Sequence, residues 1–170
     1  MKSTTIFLEG EDVMVKTKRY TINRNTMAIL PNRDIVYSSI IYESNQMILC
    51  ETPPFNIINE SCIEKGSTFD GRRKAIQHMT KKRGLLPTPI EPAKGMIVIP
   101  TKKVNDPYAE WLMYYHIKEC RPSKKGKDYS EIIFTNGQKI EVELSYNRMK
   151  NQIMLAAFIF GHFIKGKYIS

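Results

Sequence analysis

The chain has 170 residues, 42% hydrophobic and 25% charged. This excludes a disordered or fibrous class and suits one globular domain with a sizeable core. Lys and Arg outnumber Asp and Glu by 26 to 17, a net charge of +9 at pH 7, which predicts a polyanionic partner and says nothing of fold.

The charge is uneven. Residues 1–60 are nearly neutral, with six basic and seven acidic residues, whereas 61–110 and 111–170 each carry ten basic and five acidic ones. Three cysteines, Cys50, Cys62 and Cys120, form no CxxC pair, so reduced intracellular thiols are expected rather than a disulfide framework. The start, MKSTTIFLEGED, lacks the apolar core of a signal peptide. IMLAAFIF (153–160) is too short to span a bilayer. A cytoplasmic protein without membrane contact is expected.

Residues 1–25 are expected as an N-terminal arm or an edge strand, ahead of a single domain over 26–170. MAIL (27–30) reads as a short strand ending at Pro31. IVYSSIIYES (35–44) and QMILCE (46–51) read as a hairpin with its tip at Ser44-Asn45. Pro53-Pro54 closes that unit. Residues 71–83 predict a short basic helix with Asp70 as its N-cap. Ala75, Ile76 and Met79 take one side of it, and Arg73, Lys74, Gln77 and Lys81 the other. Arg72 and Arg83 fall on the apolar side.

The stretch 84–95, with three prolines, reads as an extended connector. MIVIP (96–100) predicts a buried strand. WLMYYHIKE (111–119) predicts a longer one, Trp111 and Tyr115 on one face and Tyr114 and His116 on the other. Two strand-like runs flank Asn136-Gly137, a hairpin signal because both residues tolerate the positive φ of a type I′ turn. A C-terminal helix follows over 146–164, capped by Ser145. Its stripe is Met149, Ile153, Ala156, Phe160 and Phe163. Met154, Leu155, Phe158 and Ile159 make it apolar nearly all round, so both sides are expected to be buried, within the monomer or by another subunit. The sum is an α+β fold, mostly antiparallel sheet built of hairpins, with a short basic helix and a C-terminal apolar helix.

CIEKGSTFDGRRKAI (62–76) is the most suggestive stretch. Gly66 and Gly71 have the spacing of a phosphate-binding GxxxxG loop, but Arg72-Arg73 stand where that loop needs Lys and then Ser or Thr. A nucleotide site is therefore not expected. A polyanion surface is: Lys65, Arg72, Arg73, Lys74, Lys81, Lys82 and Arg83 face a single acid, Asp70, and Ser67 adds a hydroxyl donor. The second basic loop is Arg121, Lys124, Lys125 and Lys127. No catalytic motif is present, and His116 and Cys120, about 13 Å apart on a strand, do not share a metal. No enzyme activity, metal or cofactor is expected. An alternative partner is RNA, with Trp111, Tyr114 and Tyr115 stacking unpaired bases.

Three segments together resemble the ComK family of competence transcription factors. The first is Ser61-Cys62, Gly66-Ser67 and Gly71-Arg72. The second is Pro100-Thr101, Pro107, Trp111 and HIKE (116–119). The third is FTNG (134–137), Ser145-Tyr146-Asn147 and Asn151-Gln152. The resemblance covers roughly 26–160. It implies an activator of DNA-uptake genes that binds paired A/T-rich promoter boxes through the minor groove, without a conventional helix-turn-helix. It also implies a homodimer or higher assembly on double-stranded DNA, a nucleoid location, and a proteolytic adaptor as a further partner. Two departures stand out. Asp106 precedes Pro107 where a basic or neutral residue is expected, and the sequence ends at Ser170 where family members commonly continue with an adaptor-binding tail. Without such a tail, adaptor control through it is not expected. The alternative to promoter recognition is a general nucleic-acid-binding protein of RNA or nucleoid type.

Overall fold

The computed structural model describes residues 4–7 and 13–165. Thr4–Phe7 (β1), Val13–Thr17 (β2), Thr26–Pro31 (β3), Ser39–Glu43 (β4), Met47–Cys50 (β5), Thr88–Glu91 (β6), Met96–Pro100 (β7) and Trp111–Met113 (β8) form one sheet. Its order is β1-β2-β5-β4-β3-β8-β7-β6. Only β2 and β5 pair parallel; every other described pair is antiparallel. Ile117–Pro122 (β9), Ser130–Phe134 (β10) and Lys139–Val142 (β11) form a second sheet, ordered β11-β10-β9. Helices are Pro54–Glu64 (α1), Phe69–Thr80 (α2) and Tyr146–Lys165 (α3). The expected α+β class is the one observed. Within the stretch 1–25, β1 lies at one edge of the large sheet; residues 1–3, 8–12 and 166–170, the chain end among them, lie outside the described residues.

The large sheet is covered on both faces, which is why its strands read as unbroken apolar runs. Met96 and Val98 join Ile29, Ile41, Trp111 and Met113 on the face packed by Ile57, Ile58 and Cys62 of α1. Ile97 and Ile99 join Ala28 and Leu112 on the other face, against Ile132 and Phe134 of the small sheet and Met149, Ala156 and Ile159 of α3. Helix α2 serves both cores, Phe69 in the first and Ile76 in the second. Trp111, 1% exposed, sits against Phe69 at 5.5 Å and Phe55 at 6.2 Å.

The structure corrects several expectations. Pro53-Pro54 opens helix α1 rather than closing a unit: proline at the first helical position loses no intrahelical bond. The basic helix begins at Phe69, and its N-cap is Thr68, whose Oγ1 accepts from Gly71 N at 3.0 Å; Asp70 lies inside the first turn. The connector 84–95 contains strand β6, at the far edge of the sheet where Pro89 costs no ladder bond, then a 3₁₀ turn. Residues 35–38 precede β4 rather than belonging to it.

The expected long strand 111–119 is two strands broken by a 3₁₀ turn at Tyr114–His116, through which the chain leaves one sheet for the other. Asn136-Gly137 does form a hairpin, but not type I′. Gly137 N bonds Phe134 O at 2.9 Å, Phe134 N bonds Gln138 O at 2.9 Å, and Gly137 alone of the two has positive φ (+88°). That is a type I turn closed by a glycine bulge. Asn136 instead ties the sheets together, its Nδ2 donating to Ser44 O at 3.1 Å. Helix α3 is not covered all round within the chain: Met154 (63%) and Phe158 (59%) are exposed.

Candidate nucleic-acid interface

Helices α1 and α2 meet at the glycine stretch. Gly66, with φ +93°, ends α1 by donating to Ile63 O at 3.0 Å, while Phe69 N donates to Asn59 Oδ1 at 3.0 Å. At Gly71 a Cβ would stand 2.7 Å from Ser67 Oγ, so a larger residue there makes the Ser67 side chain move. The loop is therefore a tight elbow between consecutive helices, not a phosphate cradle. A pair of short helices joined by residues 65–68 is present, which the sequence reading did not find.

The structure divides the expected cations. Arg72 turns inward: it is half-buried, its Nη2 donates to Lys65 O at 2.7 Å, and its Nε is buried without a partner. Arg73 Nη2 donates to Gly84 O at 3.2 Å. Lys65 pairs with Glu91 (3.6 Å) and Lys74 with Asp70 (3.0 Å). Ser67 Oγ donates to Thr68 O. Arg121 grips Glu119 through two bonds of 2.9 and 3.0 Å, and that contact holds the Glu119 carboxyl below its ordinary range. Lys125 lies 4.4 Å from the Tyr129 ring centre.

Lys81, Lys82, Arg83, Lys124 and Lys127 are exposed and have no side-chain partner among the described residues. Lys81 ends α2 in the left-handed region (φ +57°), the one non-glycine described residue with positive φ. With Gln77, His78, Lys82 and Arg83 it lines a cleft of about 440 Å³ free of acids. The turn beyond is fixed from two sides, by Arg73 on Gly84 O and by Gln152 Nε2 of α3 on Leu85 O at 3.1 Å. Three free cations thus sit next to a turn held by two side-chain bonds.

Two cations that sequence reasoning missed extend this surface. Lys103 joins Arg73 and Gly84 around a second cleft of about 290 Å³. Lys103 and Arg148 line a third, of about 580 Å³, which Asp128 of the second basic loop also enters. This third cleft is mixed, since Asp106 and Glu143 line it too and Lys102 pairs with Glu143 at 3.0 Å. The two basic segments therefore approach one another across a neutral cleft. No local pattern marked Lys103 or Arg148; only the packing of the 101–106 segment and α3 around the Gly84-Leu85 turn does.

The motif residues mostly build the fold. Ser61 Oγ accepts from Ile22 N at 3.1 Å, Pro100 and Trp111 are buried, and Ser145 O accepts the first helical bond of α3 from Met149 N at 2.8 Å. Tyr146 stands 6.0 Å from Lys150 Nζ, and Asn147 is exposed. Trp111 cannot stack on bases, and Tyr114 is half-buried against Phe160 at 5.8 Å, so of the expected aromatic platform only Tyr115 (70%) is exposed.

Among the described residues no group of three or more His, Cys, Asp or Glu could hold a metal. Burial pushes the Cys62 thiol up to about 11 despite the nearby Arg72 charge, so it is not a thiolate. No described helix is long and apolar enough to cross a membrane.

A mixed α+β scaffold with free cations on the turn after α2 presents a surface suited to a polyanion. Comparison with known proteins gives the family: the family described as ComK protein matches residues 17–165, and the chain belongs to it. It is 29% identical over 141 residues to the competence transcription factor of Bacillus subtilis (strain 168), covering 82% of this chain and 72% of that one. No solved structure matches. The family is one of transcription factors, which implies DNA as partner.

Proposed function

We propose that this chain activates competence genes in the cytoplasm by binding paired A/T-rich promoter boxes through the minor groove. The observation that carries the reading is the run Lys81-Lys82-Arg83, unpaired and exposed on a turn braced by Arg73 and Gln152. A narrow A-tract minor groove has a deepened negative potential that draws an arginine. Of the arginines in the 65–83 segment, Arg83 has a free guanidinium and Arg72 does not; Lys81, Lys82, Lys124 and Lys127 supply salt-sensitive phosphate contacts. Arg72, Arg73, Lys65, Lys74, Arg121 and Lys125 act behind them, shaping the elbow and loops. Assembly as a homodimer on DNA and turnover through a proteolytic adaptor rest on the family resemblance.

The test is fluorescence anisotropy on A/T-rich and G/C-rich duplexes across a salt series. Arg83→Ala weakens A/T-rich binding by about 1–3 kcal/mol, and Lys82→Ala lowers the salt slope by about 1 without changing sequence preference. Equal, weak binding to both duplexes sinks the groove-reading claim. The elbow of α1 and α2 favours a second reading, in which α2 lies in the major groove. Competition by a minor-groove ligand separates the two, because it displaces only a minor-groove reader.

A further inference from the structure

A different face of the molecule carries its own feature. Beyond β3 the chain makes a loop, 32–38, held by four bonds. Asn32 N donates to Ser38 O (2.9 Å) and Asn32 Nδ2 to Tyr37 O (2.9 Å), while Asp34 Oδ1 accepts from Val36 N (2.8 Å) and Tyr37 N (2.9 Å). So tied, the loop has one shape, yet its tip presents Ile35 wholly to solvent (101%) and Val36 by half (50%). Beside it lies a groove of about 460 Å³ walled by Phe55, Val104, Pro107 and Tyr108, with Arg33 and Ser38, at the two ends of the loop, on its lining. Tyr108 is 56% exposed, and Arg33 holds its guanidinium 5.6 Å from that ring.

We propose that this face is a two-fold interface between two copies of the chain, the Ile35-Val36 tip of each seated in the groove of the other. An apolar projection and an apolar groove on one patch are self-complementary, so a single two-fold axis fills both grooves and leaves no open end. A different kind of partner needs only one of the pair. Charge agrees. The ionised groups around the loop and groove are Lys16, which lies over the Tyr37 ring, Arg33, Asp34 and Asp106, two of each sign. On a chain of net charge +9 this is a neutral face, where two copies meet without like-charge repulsion and each offers the other both signs. The bonded loop is ordered before association, so little entropy is lost in seating it. The groove adjoins the cleft of Arg73 and Lys103, sharing Val104 and Asn105 with it. None of Lys81, Lys82, Arg83, Lys124 and Lys127 lines the groove itself.

This names the surface behind the dimer proposed above, and it is read without DNA. The experiment is light scattering coupled to gel filtration of the full chain over a concentration series reaching about 100 µM. The native chain associates to twice 19.7 kDa. Ile35→Asp weakens association by about 30-fold, with unchanged circular dichroism and melting midpoint, because Ile35 contacts nothing inside the fold. Phe158→Asp, at the exposed apolar site of α3, still associates. A native chain that stays at 19.7 kDa throughout, an Ile35→Asp chain that associates as the native one does, or association lost only in Phe158→Asp overturns the proposal. Failure of DNA recognition leaves the mass unchanged, and failure of the dimer leaves single-box binding readable.

Discussion

Arg72 and Arg73 are neighbours that take separate structural posts, one on Lys65 at the C-cap of α1 and one on the turn after α2. The sequence carried half of this: wound as a helix, it placed Arg72 on the apolar side. It did not show which cations are paired, because the partners, Lys65 O, Gly84 O, Glu91 and Glu119, lie 2 to 26 residues away and meet them only after folding. Glu110 is another residue whose role appears only in the fold. Burial raises its carboxyl above the ordinary range; bonds from Glu143 N (2.8 Å) and Thr101 Oγ1 (3.3 Å) pull it partly back. A folded value above the unfolded one means that the group's contribution is fullest at low pH and is lost as pH rises through the folded value. Glu110→Gln keeps a carbonyl for both donors and carries no charge. Its melting midpoint matches the native chain at low pH, and the variant becomes the more stable of the two as pH rises to neutral. Thermal melts at both pH values check this; an equal offset at both refutes it.

At the scale of elements, patterns with a strong local cause were legible. The α2 helix, the buried β7 strand, the hairpin at Asn136-Gly137 and the long C-terminal helix all follow from apolar spacing or turn chemistry. Helix α1 was hidden because its opening prolines look like punctuation, and the break at 114–116 was hidden because alternation continues through it. Only the need to enter a second sheet bends the chain there. The docking of α3 was equally invisible. Gly95, at φ +67°, lies under the Phe160 ring, and a Cβ added there would run into it. Gly95→Ala therefore costs about 1–3 kcal/mol through overpacking and a left-handed backbone. Gly161→Ala, on the same helix with nothing within 4 Å of an added Cβ, instead stabilises by about 0.5–1 kcal/mol. Urea denaturation of the two variants gives the opposite signs directly.

For the whole molecule, the α+β class and the basic second half were visible from composition and strand patterning, whereas the division into two sheets was not. The interior of the large sheet belongs to both cores, and α3 packs across β7, β9 and both 3₁₀ turns. Such shared burial predicts one cooperative transition. Trp111, the chain's single tryptophan, reports only the large sheet, so its fluorescence and the far-ultraviolet circular dichroism, which also sees α3, have coincident midpoints. Separated midpoints mean that the small sheet and α3 unfold on their own.

The passage from one sheet to the other at Tyr114–His116 also sets an order in time. All eight strands of the large sheet lie within residues 4–113, so it is complete in sequence before β9 has been made. On the ribosome, residues 114–165 follow over roughly 3–10 s. Until they arrive, the face bearing Ala28, Ile97, Ile99 and Leu112 has only Ile76 of α2 and the Leu86 segment against it, and lacks the small sheet and α3. The nascent chain passes through a stage with one finished core and one half-covered apolar wall, and that interval is when it most needs a chaperone.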